Sequence, residues 1–563
     1  MHSFPRVSFS ITYILFSVFI VSGICAQDYQ VYWQQPEYIL SPDDSLFLEQ
    51  LEHDTFQWFW EKAHGSTGLN PDRSTETSSE NNLISIASVG FGLTAYGIGA
   101  EREYVTREQA AQRVDMALRA LLRGTMARDA QGTIGYRGWY YHFLDANTLS
   151  RAWNSELSSI DTALLLLGVV FVRNYFDNPE NTLETAIRDS ATVILNRVDW
   201  RFMRNPNNNG ISAGWNPESG YINWEYRGYN EALFLYLLAV GAEVNPLSAS
   251  SYLYWKGSYR YESTGYFEHP FITFAPLFGH QYPHVWYDFR GIYNDELKIL
   301  GDKYDYFENA RRATYANRAY AIANPRSWPN YAENDWGLTA CDGPKNFGFN
   351  GYRARGASAP GVVDDGTIAP TAAGGSIAYA PEIVIPALRY MKEKYGAKLY
   401  TKYGFRDAYN DSVNWFDTDY IGIDQGPIIA MIENYRSGLV WETMKKDPVI
   451  KNGLLKAGFT GGWLDEGSAV QNAMLLDFDY KLMNYPNPFN ASTIIHFEIP
   501  KTQHVTIEIF NTKGRKVASI VKGEMTAGQH VVQWHVPALA SGVYWVRMQT
   551  SSSVLSQKML FLK

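Results

Sequence analysis

The stretch Gly214–Gly241, GWNPESGYINWEYRGYNEALFLYLLAVG, crowds aromatic and acidic side chains together and then runs into an unbroken apolar segment. A helix that is apolar on every side has to be buried on every side. Residues 231–241 are therefore expected to form a helix inside a larger set of helices. Reading outward, comparable runs recur: SLFLEQLEHDTFQWFWEKA (45–63), NLISIASVGFGLTAYGIG (82–99), IDTALLLLGVVFVRNYF (160–176), PEIVIPALRYMKEKYG (381–396) and GPIIAMIENYRSG (426–438). Their periodicity predicts about ten to twelve helices between roughly Asp44 and Phe459, with little strand-like alternation. Several are apolar all round, which points to concentric layers, an all-α domain with an inner and an outer set.

Carboxylates stand at the starts of these inner helices. Glu231 follows Asn230, which can cap the helix and leave Glu231 as its first residue. Flanked by Tyr229, Leu233 and Phe234, it is expected to be partly desolvated, which raises a carboxyl pKa as a general acid requires. A second crowded stretch, YRGWYYHFLDANTLSRAWNSELSSIDTALLLLG (136–168), places Glu156 in a loop and Asp161 at a helix start. Ser158 and Asp161 fit a capping pattern, so Asp161 has an ordinary structural role open to it. A third set contains Asp424, before Gly426 and Pro427, and Glu433, with Arg436 as the nearest partner in sequence. Two carboxyls facing one glycosidic bond, one protonated and one ionised, are what sugar hydrolysis needs. Glu231, Glu156, Asp161 and Asp424 are the catalytic candidates. Trp139, Tyr141, Trp215, Glu225, Tyr229, His280, Trp286 and Trp336 are the candidate substrate contacts, the aromatic rings offering flat apolar faces to sugars.

From Asn484 the pattern changes to short alternating runs separated by Gly, Pro and Asn, read as a β-sandwich of about six or seven strands with Trp534 and Trp545 in its core. Residues 484–563 hold eight Lys or Arg and three Glu, a net charge of +5, against −9 for the whole chain. The large domain is thus strongly acidic. That disfavours nucleic acid and acidic polymers as partners, and with them a polysaccharide lyase acting on uronates. The N-terminus, with Arg6, an apolar run over Ile11–Val21 and small residues up to Ala26, reads as a cleaved signal peptide. The run falls short of the roughly 20 apolar residues of a membrane span. Removing Cys25 leaves Cys341 as the single cysteine, so no internal disulfide is expected. His269, His280 and His284 lie in a Pro-interrupted context, FEHPFITFAPLFGHQYPHVWYDFRG, with no HExxH, and no metal or cofactor is expected. No phosphate-binding loop or nucleophile elbow occurs.

Seven motifs in order, NSELSSIDTALLLLG, GYNEALFLYLLAVG, HPFITFAPLFGHQYPHVWYDFRG, NRAYAIANP, PTAAGGSIAYAPE, YGFRDAYN and IGIDQGPIIAMIENYRSGLVWE, resemble the bacterial glucoamylase-like domain, in particular glycoside hydrolase family 144. The resemblance implies an (α/α)6 barrel and hydrolysis of β-1,2-glucan, endo or by release of sophorose, with inversion. It also points to Glu156, Asp161 and Glu231 as the site, with Glu231 as the acid. NYPNPFNASTIIHFEIP, IFNTKGRKVASIVKGEMTAGQHVVQW and LASGVYWVRMQT are similar to the C-terminal sorting domain of the type IX secretion system, which implies export to the cell surface or beyond and the secretion machinery as a partner. The expected organisation is a signal peptide (1–26), an extension (27–43), the barrel (44–465), a linker (466–483) and an immunoglobulin-like sandwich (484–563). A transglycosylase or another β-glucan hydrolase, and a non-catalytic glycan-binding surface protein, are the competing readings.

Overall fold

A computed structural model describes residues 38–465 and 480–563, apart from residues 80, 130, 263–265, 302, 346–350, 358–361, 500–501, 526–527, 537–538 and 552. The expected signal peptide, most of the extension and residues 466–479 of the expected linker lie outside the described residues. The chain divides into a short unit, Met1–Pro42, and a large one, Asp43–Lys563.

The first part of the large unit is helix-rich. Its longer helices are α1 (Pro42–Lys62), α2 (Ile86–Glu101), α3 (Arg107–Arg123), α4 (Ser159–Tyr175), α5 (Thr182–Asn196), α6 (Leu233–Gly241), α7 (Ala249–Lys256), α8 (Phe278–Trp286), α9 (Tyr306–Ala323), α10 (Pro381–Tyr395), α11 (Gly422–Arg436), α12 (Leu439–Lys445) and α13 (Pro448–Lys456). Two kinds are present. All nine residues of α6 are buried, as are fourteen of the sixteen in α2, so these helices have no solvent face to reserve for polar residues. In α3 and α5 only one stripe is buried, and the rest carries the charges that keep the surface in water. The buried helices pack on one another: α2 lies between α4 and α11, α4 also meets α6, and α8 meets α11, while the amphipathic pair α3 and α5 pack on each other and on α2 and α4 respectively, and α13 packs on α6.

The α2–α4 contact is made backbone to backbone. A Cβ on Gly90 would stand 2.2 Å from the carbonyl oxygen of Leu164, and one on Gly168 would stand 2.2 Å from that of Gly90. The helices approach this closely because neither carries a side chain at the crossing. Gly168→Val is therefore expected to lower stability by about 1–3 kcal/mol or more through overpacking. Thermal unfolding checks this, and an unchanged midpoint would mean that the crossing tolerates a side chain.

Two- and three-residue strands lead directly into the buried helices. Leu83–Ser85 pairs with Phe143–Asp145 before α2, Leu157–Ser158 with Gly214–Asn216 before α4, and Arg73–Thr75 with Asp419–Ile421 before α11. They are too short for alternation to show in sequence, yet they pin the N-terminal ends of these helices. Three expectations change. The helix of the opening stretch begins at Leu233 rather than at Glu231, and α11 begins at Gly422, four residues before Gly426. Part of the Pro-interrupted histidine segment, Phe278–Trp286 with His280 and His284, is helical, with Pro283 inside α8. One proline forfeits a single backbone hydrogen bond there, and burial of eight of the nine residues outweighs it.

The last residues form two antiparallel sheets around one core. In the strands β1 (Lys481–Tyr485), β2 (Ser492–Ile499), β3 (Gln503–Asn511), β4 (Lys516–Met525), β5 (Gly528–His535), β6 (Gly542–Gln549) and β7 (Val554–Phe561), the orders are β1-β2-β5 and β4-β3-β6-β7. Ile495, Phe497, Ile507, Ile509, Trp534 and Val546 meet between them. The first strand starts at Lys481, inside the expected linker. Trp534 is buried as expected, but Trp545 is 41% exposed, because Tyr544, Val546 and Met548 take the inward positions of β6.

Candidate active site

Glu156, Asp161 and Glu231 come together at the N-terminal ends of α4 and α6. Segment 141–143 runs beside 155–157, with the His142 amide donating to the Glu156 carbonyl at 2.9 Å. This sets the His142 ring between two carboxylates, 3.0 Å from Glu156 Oε1 and 3.5 Å from Asp161 Oδ2. Ser158 caps α4 as read from sequence, accepting from the Asp161 amide, and its hydroxyl donates to Asp161 Oδ2 at 2.5 Å. Asp161 therefore does more than cap. It is also an anionic partner of His142. Gly214 allows the approach: a Cβ there would lie 2.6 Å from the Leu157 carbonyl oxygen and 2.8 Å from Glu156 Cγ.

Glu231 lies near enough to feel the Asp161 charge. The Asn230 side-chain oxygen accepts from the Ala232 amide at 3.0 Å and from Trp255 Nε1 at 3.1 Å, which locks the turn ahead of α6. Glu231 thus sits in the turn, not at the first helical position. Burial pushes its carboxyl up to about 7; its own backbone amide opposes this and the charge of Asp161 adds to it. The buried Tyr226 hydroxyl feels Glu231, Asp161 and Glu156 together, so the three carboxyls share one electrostatic neighbourhood. Burial works against a charge on His142, but Asp161 and Glu156 outweigh it and hold its pKa at about 9. Burial would raise Glu156, and the His142 hydrogen bond and charge bring it below the usual carboxylate range instead. Burial raises Asp161 despite His142. The result is one proton-bearing carboxyl, Glu231, beside one ionised carboxylate, Glu156.

A second acidic group lies at the start of α11. Asp424, in its first turn, accepts from the Tyr352 hydroxyl at 3.3 Å and is pushed up to about 7 by burial. Burial and the Asp424 charge raise Asp407 well above its ordinary range. Arg73 Nη1 donates to Asp342 at 2.5 Å and Arg73 Nε to Asp72 at 2.8 Å. Tyr282 feels Asp424, Glu231 and Asp407 at once, and Asp72 acts on both His142 and Asp161, so the two groups belong to one acidic region.

Among the described residues, two trios offer ligand-type atoms within 4.8 Å of one another: His142, Glu156 and Asp161, and Asp342, Asp407 and Asp417. In the first, the His142 ring stands between the two carboxylates as their hydrogen-bonding and ionic partner. The second has the hard oxygen donors that Ca²⁺ or Mg²⁺ takes. His280 and His284 are buried and neutral, both pushed down to about 3 by burial.

Most of the expected sugar platforms are core residues. Trp139, Tyr141, His280, Trp286 and Trp336 are 0% exposed. Trp139 Nε1 bonds the Asp199 carbonyl and Trp286 Nε1 the Thr94 hydroxyl, as buried indoles require. Tyr229 and Trp215 are buried as well, Tyr229 stacked on Tyr306 and Trp215 packed against Tyr136 and Phe202. Of that set only Glu225 keeps a partly open position. Sequence reading passed over His142, Asp72, Arg73, Asp342, Asp407 and Asp417. His142 stood in the second crowded stretch and Asp407 in the motif YGFRDAYN, but only folding brings them beside the carboxylates. Glu433, for which Arg436 was the expected partner, is held instead by Arg102 at 2.6 and 2.9 Å, and Arg436 pairs with Glu52.

Both parts of the chain are similar to known proteins. Residues 223–448 match the Glycoamylase family, described as "Putative glucoamylase", and residues 483–562 match the secretion system C-terminal sorting domain. A solved putative glucoamylase from Bacteroides uniformis is 32% identical, covering 76% of this chain and 100% of its own, with a TM-score of 0.65. An endo-β-1,2-glucanase from Chitinophaga pinensis, solved with sophorotriose and glucose, is 29% identical over 75% of this chain and 99% of its own, with a TM-score of 0.66. An exo-β-1,2-glucooligosaccharide sophorohydrolase acting at the non-reducing end, from Parabacteroides distasonis, is 29% identical over 444 residues, 73% of this chain; the chain spans 58% of that relative's length. The sorting domain directs the chain to secretion or the cell surface, and among the described residues no helix is long and apolar enough to cross a membrane. The chain belongs to the glucoamylase-like family and ends in a type IX secretion sorting domain.

Proposed function

We propose that the chain is a secreted glycoside hydrolase that cleaves β-1,2-glucan, with Glu231 as general acid and Glu156 as the carboxylate that activates water. The observation that carries this reading is a carboxyl held up to about 7 and an ionised one that act on the same Tyr226 hydroxyl, at the starts of α6 and α4. His142 keeps Glu156 ionised and oriented, and Asp161 keeps His142 charged. The names of the Chitinophaga and Parabacteroides relatives support β-1,2-glucan as substrate. We further propose that α2, α4, α6, α8, α11 and the short helix Pro370–Gly374 form the inner ring of an (α/α)6 barrel, that the C-terminal sheets form an immunoglobulin-like sandwich recognised by the type IX machinery, and that cleavage inverts the anomeric centre.

Incubation with linear β-1,2-glucan tests the substrate. Sophoro-oligosaccharides of many lengths would mark endo action and sophorose alone exo action. Cleavage of another glucan but not this one would move the function within the glycosidase class, and an unsaturated product released from a uronate polymer would make the chain a lyase. For the base, Glu156→Gln is expected to lower kcat by roughly 10²–10⁴-fold; a larger loss in Asp424→Asn would transfer the role to Asp424.

The pH profile follows from the site. Glu231 works while protonated, so the rate falls as pH rises through about 7. Glu156 works while ionised, so the rate falls again only below the usual carboxylate range, into which His142 has depressed it. A kcat/KM profile with no alkaline limb near 7 would remove Glu231 as the acid.

A further inference from the structure

We propose that a cavity bounded by segments 203–206 and 221–227 and by Tyr254 of α7 is a saccharide-binding subsite, one that takes glucosyl units of the substrate chain away from the bond being cleaved. This rests on the reading of the chain as a glucan hydrolase and extends it. The cavity has a volume of about 500 Å³, within the range of small-molecule sites, and it lies outside the carboxylate cluster.

Two large rings on its lining are turned to solvent, Tyr221 at 52% and Trp224 at 53% exposure. Both are held rather than loose. The Tyr221 hydroxyl donates to the Phe202 carbonyl at 2.5 Å and its ring meets that of Phe202 at 5.6 Å; Trp224 packs edge-on against the buried Tyr226 at 4.5 Å. Single exposed apolar residues need no explanation, but two fixed rings around one cavity form a patch. Fixed flat rings lose little entropy when an apolar sugar face stacks on them.

The polar side is built as carefully. Glu225 accepts from Asn208 Nδ2 at 2.9 Å, from the Tyr254 hydroxyl at 2.7 Å and from Asn205. Burial would raise its pKa, and these hydrogen bonds lower it instead, so it remains an ionised acceptor for sugar hydroxyls. Gly210 makes room for it, since a Cβ there would lie 2.4 Å from Glu225 Oε2. Arg227, also on the lining, lies over the Tyr254 ring at 5.0 Å and supplies donors. Stacking faces with donors and an acceptor are the features a neutral sugar chain recognises. Continuity with the catalytic cluster comes from Tyr226: its ring supports Trp224, while its hydroxyl feels Glu231, Asp161 and Glu156.

The test compares substrates of different length. In the full-length protein, Trp224→Ala with Tyr221→Ala is expected to lower kcat/KM on long β-1,2-glucan about tenfold, the equivalent of about 1.4 kcal/mol, while kcat/KM on the shortest cleaved sophoro-oligosaccharide and the melting temperature stay at wild-type values. Trp224→Phe should restore most of the loss. Equal losses on long and short substrates, or none on either, would overturn the subsite. Calorimetric binding of long β-1,2-glucan to Glu231→Gln, with and without Trp224→Ala, separates this from the assignment of the reaction. Weakened binding by Trp224→Ala supports the subsite even if another linkage proves to be the one hydrolysed, and unchanged affinity rejects it.

Discussion

Replacing Glu231 with Gln is expected to abolish turnover on β-1,2-glucan, by roughly 10²–10⁴-fold or more in kcat, while the protein stays folded. The amide matches the protonated carboxyl in size and charge, so packing at the start of α6 is kept and only the transferable proton is lost. The stability consequence has a definite sign. A carboxyl whose folded pKa is raised to about 7 contributes most below the ordinary carboxylate range, and that contribution is lost as pH rises through about 7. Glu231→Gln does not ionise, so its melting temperature should lie above that of wild type on the alkaline side and converge with it in acid. Retained activity would remove Glu231 as the acid. Lost activity with a collapsed fold would show that the carboxyl serves structure instead.

The second large effect is on stability and lies away from the chemistry. Glu52 and Glu433 are 0% exposed, and their cations are Arg102, bidentate on Glu433 and 3.7 Å from Glu52, and Arg436 on Glu52. Burial and the neighbouring Glu433 already push Glu52 well above its ordinary pKa. Arg102→Ala leaves two buried carboxylates to one guanidinium and is expected to cost about 3–5 kcal/mol. The network sits in the last turn of α11, nine residues beyond Asp424, or about 13 Å along the axis. The folded fraction should therefore keep wild-type kcat. Chemical denaturation at neutral pH measures the loss, and neutralising the partner in Arg102→Ala/Glu433→Gln should recover part of it. A single-mutant cost below about 1 kcal/mol, the range of surface pairs, would mean that water reaches these carboxylates.

How much of the site was legible in sequence depends on the range of the interaction concerned. The Ser158–Asp161 cap was readable because its atoms are three residues apart, and the raised pKa of Glu231 because an apolar run follows it directly. His142 was not, although it lies within twenty residues of both partners, because a single β-bridge between Tyr141 and Leu157 brings its ring between them and such a bridge leaves no periodic trace. The aromatic platforms failed for a related reason. An indole beside polar loop residues looks the same in sequence whether it faces a cleft or the core, and here Trp139, Trp286 and Trp336 face the core.

Hydrophobic periodicity by itself determined that this chain has fully buried helices, amphipathic ones and a separate β module at its end, because burial of apolar surface is local in pattern and indifferent to partner. The tertiary structure alone decided which charges meet: Arg102 rather than Arg436 on Glu433, His142 between Glu156 and Asp161, and Arg73 between Asp72 and Asp342. Electrostatic pairing is set by distance in space and by the water excluded around it, and neither quantity is written in the spacing of residues along the chain.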